Sequence, residues 1–456
     1  MKTILAAKDN VAQLWGYPKP GNAEYRLMKY LLRVDVKEGA LLHNCVTRQM
    51  ILLTYDEVKQ LEKIPANPGE WIQELIANHF LVPKDYDEYK AVNQLRAIYQ
   101  RRSTGDAINH YVILPTTFCN AHCFYCYESD YPHVHMTEET ARKVVEYINE
   151  HSRGNKVSLD WFGGEPLVGI NRIDQITKGL KDLGIEYSSY MISNGYLFDE
   201  SLVRKSIELW KLKRVQITLD GTEEIYNRVK AYTNAAENPY QRVLRNIDLL
   251  INNGIHVNIR LNVDFYNKDD ILALIEKLGE RYSGKDNIAV YLNMLFNNQG
   301  FEPVHHSDND RIELAMIIEQ YTNRLKELKL GREEHNLPSL AFSQCMADNP
   351  HTIEIQPDGS FCRCEHECIN DSYGNLDEGV LDPDKPKKWR ENIERSDQCS
   401  ECCVYPSCFM LKGCMNAELP CIDEFRLRRM DKHKDLMYSL YQKSLEEKKN
   451  EKVHGS

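Results

Sequence analysis

The sequence predicts an α/β fold over residues 106–330, with a mostly parallel sheet that is open or partly closed into a TIM-like (β/α)6 barrel. Six short apolar or alternating runs predict strands, which begin at Tyr111, Val157, Tyr187, Val215, Val257 and Ile288. Between them, stretches such as 138–150, 240–252 and 270–278 have the apolar spacing of amphipathic helices. Strands that alternate with helices favour parallel pairing, and ligands of such sheets bind at the carboxyl ends of the strands.

Residues 1–105 predict a separate, winged-helix-like module. Residues 25–34 and 40–44 are typical of strands, and residues 53–61 and 71–82 have helical apolar spacing. Thr54 is the expected N-cap of the first of these helices. The charged stretch 84–102 is expected to be a connector.

Composition excludes several classes of protein. The chain has 456 residues, 42% hydrophobic and 27% charged, and a formal net charge of −11. An acidic balance argues against a protein that wraps nucleic acid. We find no signal peptide and no run of 18 apolar residues, so no membrane span and a cytoplasmic location are expected. Thiols stay reduced there, so the fourteen cysteines are interpreted as metal ligands rather than disulfides.

Three cysteines follow the first predicted strand directly. Cys119, Cys123 and Cys126 are spaced by four and three residues, and no fourth cysteine is close in sequence. Iron–sulfur cubes are normally held by four thiolates, so three would leave one iron open to a group that is not protein. The alternative is a zinc knuckle or a set of buried thiols.

This loop, Cys119-x3-Cys123-x2-Cys126 with Tyr125 before the last cysteine, resembles the signature of radical S-adenosylmethionine (radical SAM) enzymes. The resemblance implies a [4Fe–4S] cluster whose open iron binds the amino and carboxylate groups of S-adenosylmethionine. It also implies that reductive cleavage gives a 5′-deoxyadenosyl radical that abstracts hydrogen.

Segments at later strand ends resemble cofactor-binding motifs of the same family. Gly163, Gly164 and Glu165 resemble the glycine-rich motif that contacts the methionine amino group, and two glycines allow backbone to approach a ligand. Ser193 and Asn194 follow the third strand, where the family places ribose contacts. Asp220 and Arg260 close the fourth and fifth strands, and Arg260 is a candidate clamp for the methionine carboxylate. Ordinary turns and a structural salt bridge are the alternatives.

The later cysteines resemble the SPASM extension of peptide-modifying radical SAM enzymes, which binds two auxiliary four-iron clusters. The resemblance assigns one cluster to Cys399, Cys402, Cys408 and Cys421, and the other to Cys345, Cys364 and Cys414, with Cys362 or Cys368 as a further candidate. Five residues separate Cys408 from Cys414, where the family usually has three. The alternative is one or two structural zinc sites.

Glu365 directly follows Cys364. In sulfatase-maturating relatives an acidic residue at this place is a base toward substrate, so Glu365 is a candidate catalytic base. The alternative is a solvated glutamate.

Together the resemblance implies three domains, at 1–105, 106–330 and 331–456, and a radical SAM maturase of ribosomally synthesised peptides. The expected product is a thioether or carbon–carbon cross-link. The expected partners are a precursor peptide, whose leader adds as a strand to a sheet edge of the first module, and a flavodoxin- or ferredoxin-type reductant. The alternatives are a sulfatase-maturating-type oxidase of a protein Cys or Ser, and a non-catalytic iron–sulfur electron carrier or zinc-stabilised binding protein.

Overall fold

The computed structural model describes residues 1–15, 24–64, 70–102, 107–152, 154, 156–295, 307–331, 337–342, 345–389, 397–408 and 423–454. The chain divides into two compact units. The first unit contains residues 1–104, 334–345 and 390–456, and the second contains residues 105–333 and 346–389. Residues after 330, which the sequence assigns to one domain, are thus shared between the two units.

The first unit begins with a small module of strands and helices. Its elements are β1 (Lys2–Leu5), α1 (Asp9–Trp15), β2 (Tyr25–Leu27), β3 (Leu31–Val36), β4 (Gly39–Asn44), β5 (Met50–Thr54), α2 (Tyr55–Leu61), α3 (Glu70–Ala77), β6 (Leu81–Pro83) and α4 (Glu88–Arg102). Strands β1, β5, β4 and β3 form an antiparallel sheet in that order, and β2 pairs with β6. Two short helices, α2 and α3, follow strands β3 to β5, as the sequence predicts, while α1 lies before these strands and β6 follows the helices.

Two local features explain how β3, β4, β5 and α2 follow one another. Gly39 starts β4 with a φ of +146°, and a Cβ there would lie 1.9 Å from the carbonyl oxygen of Leu53. Glycine is therefore required where β4 meets β5. Thr54 caps α2 in a reciprocal capping box with Glu57, which confirms the predicted N-cap.

Two predicted elements of this module are divided in the structure. Residues 25–34 form β2 and β3 rather than one strand, because β2 pairs with β6 while β3 pairs with β4. The helix predicted over 71–82 ends at Ala77, since His79 has a left-handed φ of 58° that a helix does not tolerate. The apolar residues beyond it form β6.

The charged stretch 84–102 is not a connector but contains the helix α4. Its apolar side chains Val92 and Leu95 are buried in the core of the first unit. Burial of this narrow apolar stripe stabilises a helix whose overall composition is polar.

The second unit contains the six predicted strands and a further set at its end. Its elements are β7 (His110–Ile113), α5 (Glu138–His151), β8 (Val157–Trp161), α6 (Ile170–Asp182), β9 (Tyr187–Ser193), α7 (Glu200–Glu208), β10 (Leu212–Leu219), α8 (Glu223–Lys230), α9 (Pro239–Asn252), β11 (His256–Val263), α10 (Lys268–Tyr282), β12 (Ile288–Met294), α11 (Asp308–Glu327), β13 (Thr352–Ile355), β14 (Ser360–Cys362), β15 (Gly374–Asn375), β16 (Gly379–Val380) and α12 (Asp384–Trp389). Strands β7 to β12 lie side by side in chain order, each parallel to the next. The predicted α/β partial barrel is confirmed.

Alternation along the strands separates an apolar face from a polar one. In β10, Val215, Ile217 and Leu219 belong to the core cluster that also contains the helices' apolar side chains. The residues between them, such as Gln216 and Thr218, belong to the opposite face. Helices thus cover one side of the sheet, and polar side chains line the other.

A seventh parallel strand, β13, was not predicted. It pairs with β7, so it joins the parallel sheet on the side away from β8, and β14 pairs with it in antiparallel fashion. This pairing places Cys362 and Cys364 in the same unit as the loop at Cys119.

The first unit ends with the long helix α13 (Asp423–His454). Its Met437 and Tyr441 are buried in the same core cluster as Tyr30 and Leu41 of the N-terminal module. Although α13 has 32 residues, no helix within the described ranges combines the length and the apolar character needed to cross a membrane.

Stability of the first unit is expected to depend on the protonation of His43. His43 is fully buried on β4, with Nδ1 3.6 Å from the sulfur of Cys45, and burial lowers its pKa to about 3, with His433 contributing. The folded-state pKa lies below the unfolded value, so the contribution to stability is complete above pH 6.5 and is lost as pH falls toward 3. At pH 5 the loss is about 2 kcal/mol.

The pH dependence that His43 gives to stability can be measured by denaturation of the wild type and of His43→Gln at pH 7 and pH 5. The free energy of unfolding of the wild type should fall by about 2 kcal/mol more than that of the variant. His133→Gln, at an exposed histidine, is the matched control and should behave like the wild type. Equal pH dependence in all three proteins would contradict the expectation.

Candidate functional site

The three cysteines of the predicted cluster lie in the loop that follows β7. Cys119, Cys123 and Cys126 are each half-buried, and the N–H of Cys126 donates to the carbonyl of Cys123. The N–H of His122 donates to the carbonyl of Lys230, so the loop is bound to the end of α8. The loop is thereby fixed at the carboxyl ends of the strands.

The surroundings of the three thiols suit sulfurs that bind a metal cluster. The sulfur of Cys119 accepts from the backbone N–H of Ala121 at 3.4 Å. Burial raises the pKa of Cys123, and the positive charge of Lys230 opposes this rise. Burial raises the pKa of Cys119 to about 12 and that of Cys126 to about 11. A positively charged partner would therefore be needed to hold them as thiolates, and cluster iron supplies one.

In the part of the chain that the structure describes, no three His, Cys, Asp or Glu side chains form a group that could hold a single metal ion. In a four-iron cube each thiolate binds a different iron atom, so its ligands stand farther apart than those of one ion. A donor set of three neighbouring thiols fits such a cube.

Gly163 and Gly164 pack against the backbone just before Cys119. A Cβ on Gly163 would lie 2.3 Å from the carbonyl oxygen of Thr116, and one on Gly164 would lie 2.5 Å from the carbonyl oxygen of Phe118. Gly163 also has a left-handed φ of 107°. The glycines are thus required for the close approach of two loops, in addition to any approach to a ligand.

Glu165 is fully buried and has several hydrogen-bond donors. Its carboxylate accepts from Ser193 Oγ at 2.9 Å, from the N–H of Asn194 at 2.8 Å and from the N–H of Leu167 at 3.1 Å. Burial raises the pKa of Glu165 to about 7, although these donors favour the charged form. The structure therefore brings together three predicted cofactor residues, Glu165, Ser193 and Asn194, and joins the ends of β8 and β9 through them.

Asn194 carries this connection to the cysteine loop. Its Nδ2 donates to Asn120 Oδ1 at 2.7 Å and lies 3.9 Å from the sulfur of Cys119. The end of β9 is thus linked to the first cysteine.

Tyr125 and Asp220 meet around a buried lysine. Tyr125 Oη donates to Asp220 Oδ1 at 2.7 Å, and Lys230 Nζ lies 3.1 Å from Asp220 Oδ2 and 3.2 Å from Tyr125 Oη. Burial alone would lower the pKa of Lys230, but Asp220 and Cys123 outweigh it, so the pKa is held well above its usual value. A fixed positive charge therefore lies beside Cys123.

Arg260 joins this network through one intermediate residue. Its Nε donates to Asn262 Oδ1 at 2.9 Å, and Asn262 Nδ2 donates to Asp220 Oδ1 at 3.1 Å. Among the described residues Arg260 forms no salt bridge, which was the alternative interpretation. Its hydrogen bond goes to the side-chain amide of Asn262 rather than to a carboxylate.

Lys230 and Asn262 were missed by the sequence analysis. Asn262 could have been predicted from the sequence, because Asn258, Arg260 and Asn262 alternate with apolar residues along β11 and so share its polar face. Lys230 had no such pattern, since a lysine in the last turn of a helix is most often exposed.

Glu365, the candidate base, lies beside Cys364. One carboxylate oxygen is 3.6 Å from the sulfur of Cys364. Cys362 on β14 is buried, and its thiol donates to the carbonyl of Cys368 at 3.3 Å. These residues belong to the second unit, with the loop at Cys119.

The other predicted ligands of the auxiliary clusters do not lie in the second unit as far as the structure describes them. Cys399, Cys402 and Cys408 lie in the first unit, on a loop shaped by two short 3₁₀ helices, Asp397–Glu401 and Tyr405–Ser407. Cys345 is exposed and is grouped with the first unit. Cys414 and Cys421 lie outside the described residues, so both predicted ligand sets stay predictions.

Arg96 of α4 holds the loop of Cys408. Its guanidinium donates to the carbonyls of Tyr405, Pro406 and Cys408 at 3.0 to 3.1 Å and to that of Ala341 at 3.2 Å. It also lies 4.8 Å above the ring of Tyr405. The sequence analysis missed Arg96 because it treated its segment as a connector.

Residues 113–278 match the family model of the radical SAM superfamily. This range begins in β7 and ends in α10, so it contains the cysteine loop, Glu165, Asp220 and Lys230.

One curated relative is similar over most of its length. It is the GTP 3′,8-cyclase of Clostridium perfringens (strain 13 / Type A), 25% identical over 348 residues, which cover 74% of this chain and 98% of the relative.

Two solved structures share the fold. Native anSMEcpe with bound AdoMet and Cp18Cys peptide is 16% identical with a TM-score of 0.53, covering 75% of this chain and 99% of that one. Streptococcus suis SuiB bound to precursor peptide SuiA is 13% identical with a TM-score of 0.52, covering 84% and 94%.

The charge pair beside Cys123 is expected to set the reduction potential of a cluster on the loop. Hydrogen bonds and charges near cluster sulfurs are known determinants of that potential. In anaerobically reconstituted protein without S-adenosylmethionine, Lys230→Met should lower the midpoint potential by about 50 mV or more, because a positive charge is lost. Asp220→Asn should raise it. Redox titration followed by electron paramagnetic resonance measures both shifts.

Lys178→Met, which removes an exposed lysine of α6 in the same unit, is the matched control and should leave the potential unchanged. Shifts of the same sign in Lys230→Met and Asp220→Asn would contradict the electrostatic explanation.

Proposed function

We propose that this chain is a maturase that uses a 5′-deoxyadenosyl radical to install a cross-link in a ribosomally synthesised precursor peptide. Its residues 113–278 match the family model of the radical SAM superfamily. The observation that carries the proposal is the attachment of the three-cysteine loop to the ends of β8, β9 and β10 by buried polar side chains. A loop fixed in this way holds a reactive centre at the place where ligands of parallel sheets bind. The cross-link is a thioether or a carbon–carbon bond.

The residues present fit the cofactors. Cys119, Cys123 and Cys126 would hold a [4Fe–4S] cluster, and its open iron would take the methionine end of S-adenosylmethionine. When bound, these groups supply the radical that abstracts hydrogen from the substrate. Asn194, which follows β9, and Arg260 would orient the cosubstrate. Arg260 lies within β11 rather than at its end, since this strand continues to Val263.

The chain's own residues provide rigidity and exclude water. Glu165 and Asp220 are fully buried and hydrogen-bonded, so the strand ends cannot shift without exposing or unpairing a carboxylate. Such preorganisation keeps the reacting carbon within reach of the radical.

A cross-link removes two hydrogens from the peptide. One leaves as the atom abstracted by the radical, and the other leaves as a proton and an electron. Glu365 would accept the proton, and an auxiliary cluster would accept the electron. The auxiliary ligands would come from Cys345, Cys362, Cys364 and Cys414 for one cluster, and from Cys399, Cys402, Cys408 and Cys421 for the other. A flavodoxin- or ferredoxin-type protein would supply the electron that starts the cycle.

The peptide substrate is supported by two independent points. Both solved neighbours were obtained with a peptide bound, so the fold accommodates one. The first unit of this chain also has an antiparallel sheet, and an extended leader segment could add to its edge as a further strand. Leader binding would raise the effective concentration of the core peptide.

A second function is favoured by the relative GTP 3′,8-cyclase, which is matched over 98% of its length. In that case the substrate would be a nucleotide. A sulfatase-maturating-type oxidase of a protein Cys or Ser is a further alternative within the same superfamily.

Formation of 5′-deoxyadenosine tests the catalytic part of the proposal. Reconstituted protein with dithionite and S-adenosylmethionine should produce it, and Cys123→Ala should lower the rate by about a hundredfold or more, because one cluster ligand is lost. Liquid chromatography of quenched reactions gives the rate. Cys45→Ala, at a thiol that belongs to no predicted cluster, should keep most of the activity, and an equal loss in both variants would contradict the assignment.

The substrate class is tested by product mass. A short peptide encoded beside this gene should lose the mass of two hydrogens for each cross-link, and GTP should be recovered unchanged. A peptide recovered at its original mass together with consumption of GTP would favour the second function.

A further inference from the structure

The polar face of the parallel sheet is partly exposed along its central strands. In β8, β9 and the second half of β10, buried residues alternate with half-buried ones, and Asp160, Tyr190 and Gln216 are among the half-buried. A parallel sheet that is packed on both sides has buried residues on both. In the part of the chain that the structure describes, this face is therefore accessible to a ligand.

Gln216 lies in the middle of this face and is held by two tyrosines. Its Oε1 accepts from Tyr190 Oη of β9 at 3.2 Å and from Tyr291 Oη of β12 at 2.6 Å. The shorter distance is typical of an O–H···O bond and is too short for an ordinary N–H···O bond. The amide oxygen therefore faces the tyrosines, and the amide nitrogen is directed away from them.

The amide nitrogen of Gln216 has no such partner. Two hydroxyl donors occupy both lone pairs of Oε1, so only the two N–H groups of Nε2 remain for a ligand. Within the described ranges no acceptor lies within hydrogen-bond distance of Nε2, and this nitrogen is not enclosed by the protein. A ligand at Gln216 must therefore supply an acceptor, such as a carbonyl oxygen.

The side chains paired with Gln216 across the neighbouring strands carry no charge. Its register partners are Ile192 of β9 and Asn258 of β11, and Asn258 is paired in turn with Ala289 of β12. An anionic ligand at this place would lose water without gaining a charged partner. The surroundings of Gln216 therefore favour a neutral acceptor.

The charged groups elsewhere on this face have other contacts. Asp160 Oδ2 lies 2.9 Å from His110 Nε2. Arg260 donates to Asn262 and belongs to the proposed cosubstrate site. Arg214, near the start of β10, is exposed to solvent.

We propose that Gln216, with its amide fixed by Tyr190 and Tyr291, binds a neutral amide carbonyl of the substrate peptide and so positions the peptide on the polar face of the sheet. An N–H group of Nε2 donates to the carbonyl oxygen. This inference rests on the proposed function in that the carbonyl belongs to a peptide. It also deepens that function, because a neutral donor suits an amide better than the triphosphate of GTP.

Binding is tested with N-acetylglycine methylamide, a neutral probe with two amide carbonyls, and with N-acetylglycine as its anionic counterpart. Saturation-transfer difference NMR of the reconstituted full-length protein is recorded without S-adenosylmethionine. The acetyl methyl group of the neutral probe should give a saturable signal, and the anion should bind at least about fivefold more weakly. Gln216→Met removes the donor at similar length and should weaken binding of the neutral probe about fivefold, the loss expected for one hydrogen bond.

Three further variants complete the design. Gln216→Glu keeps an acceptor for both tyrosine hydroxyls but has no N–H donor, so it should also lose binding and keeps the test valid if Gln216→Met does not fold. Tyr291→Phe leaves the donor in place but frees the amide to rotate, and should weaken binding about twofold. Gln241→Met, at an exposed glutamine of α9, is the matched control and should behave like the wild type.

Absence of a saturable signal in the wild type would overturn the proposal, and so would an undiminished affinity in both Gln216→Met and Gln216→Glu. Tighter binding of N-acetylglycine than of the neutral probe would indicate an anion site and would overturn it as well. Because no cosubstrate is used, a protein that binds the neutral probe through Gln216 but makes no 5′-deoxyadenosine would refute the proposed function alone.

Discussion

Two buried carboxylates, Glu165 and Asp220, hold the cysteine loop to the sheet, and the rest of the site depends on the hydrogen bonds and the ion pair that they accept. A buried carboxylate is tolerated only when donors replace the water that it has lost. Glu165 takes its donors from the end of β9, and Asp220 takes them from Tyr125 of the loop, from Asn262 of β11 and from Lys230 of α8. Each carboxylate therefore ties at least two elements together, and displacement of any of them would leave a charge unpaired.

The same requirement explains the glycines. Once Glu165 is fixed toward Ser193 and Asn194, the residues before it must pass directly over the backbone of Thr116 to Phe118. No side chain fits in that space, so Gly163 and Gly164 are needed for packing even before any cofactor is considered. The loop is consequently positioned by backbone contact on one side and by Lys230 on the other, which leaves the cysteines little freedom.

The strands of the parallel sheet could be predicted from the sequence, because their apolar residues follow a clear pattern. Buried apolar residues alternate or run continuously in β7 to β12, and amphipathic helices separate these strands. The sequence did not predict those elements whose secondary structure depends on tertiary contacts. About half of the residues of α4 are polar, and burial of Val92 and Leu95 in the core of the first unit stabilises them as a helix. Strand β13 is four residues long and is recognised only by its pairing with β7. Of the site, the cysteines and strand-end residues were predictable from spacing, but a buried lysine such as Lys230 depends on partners that are distant in sequence.

The division of the late cysteines between two units has a physical consequence for the first module. Cys399, Cys402 and Cys403 pack against the core cluster that contains Val92, Leu95 and Cys45, so the module and this cysteine loop share one hydrophobic core. Arg96 strengthens the connection, because its donors satisfy the carbonyls of Tyr405, Pro406 and Cys408, which a loop cannot otherwise satisfy by regular pairing. A change that loosens α4 would therefore alter the geometry of the loop as well. The N-terminal module is thus a structural support for the cysteine loop, and any role in peptide recognition is added to that one.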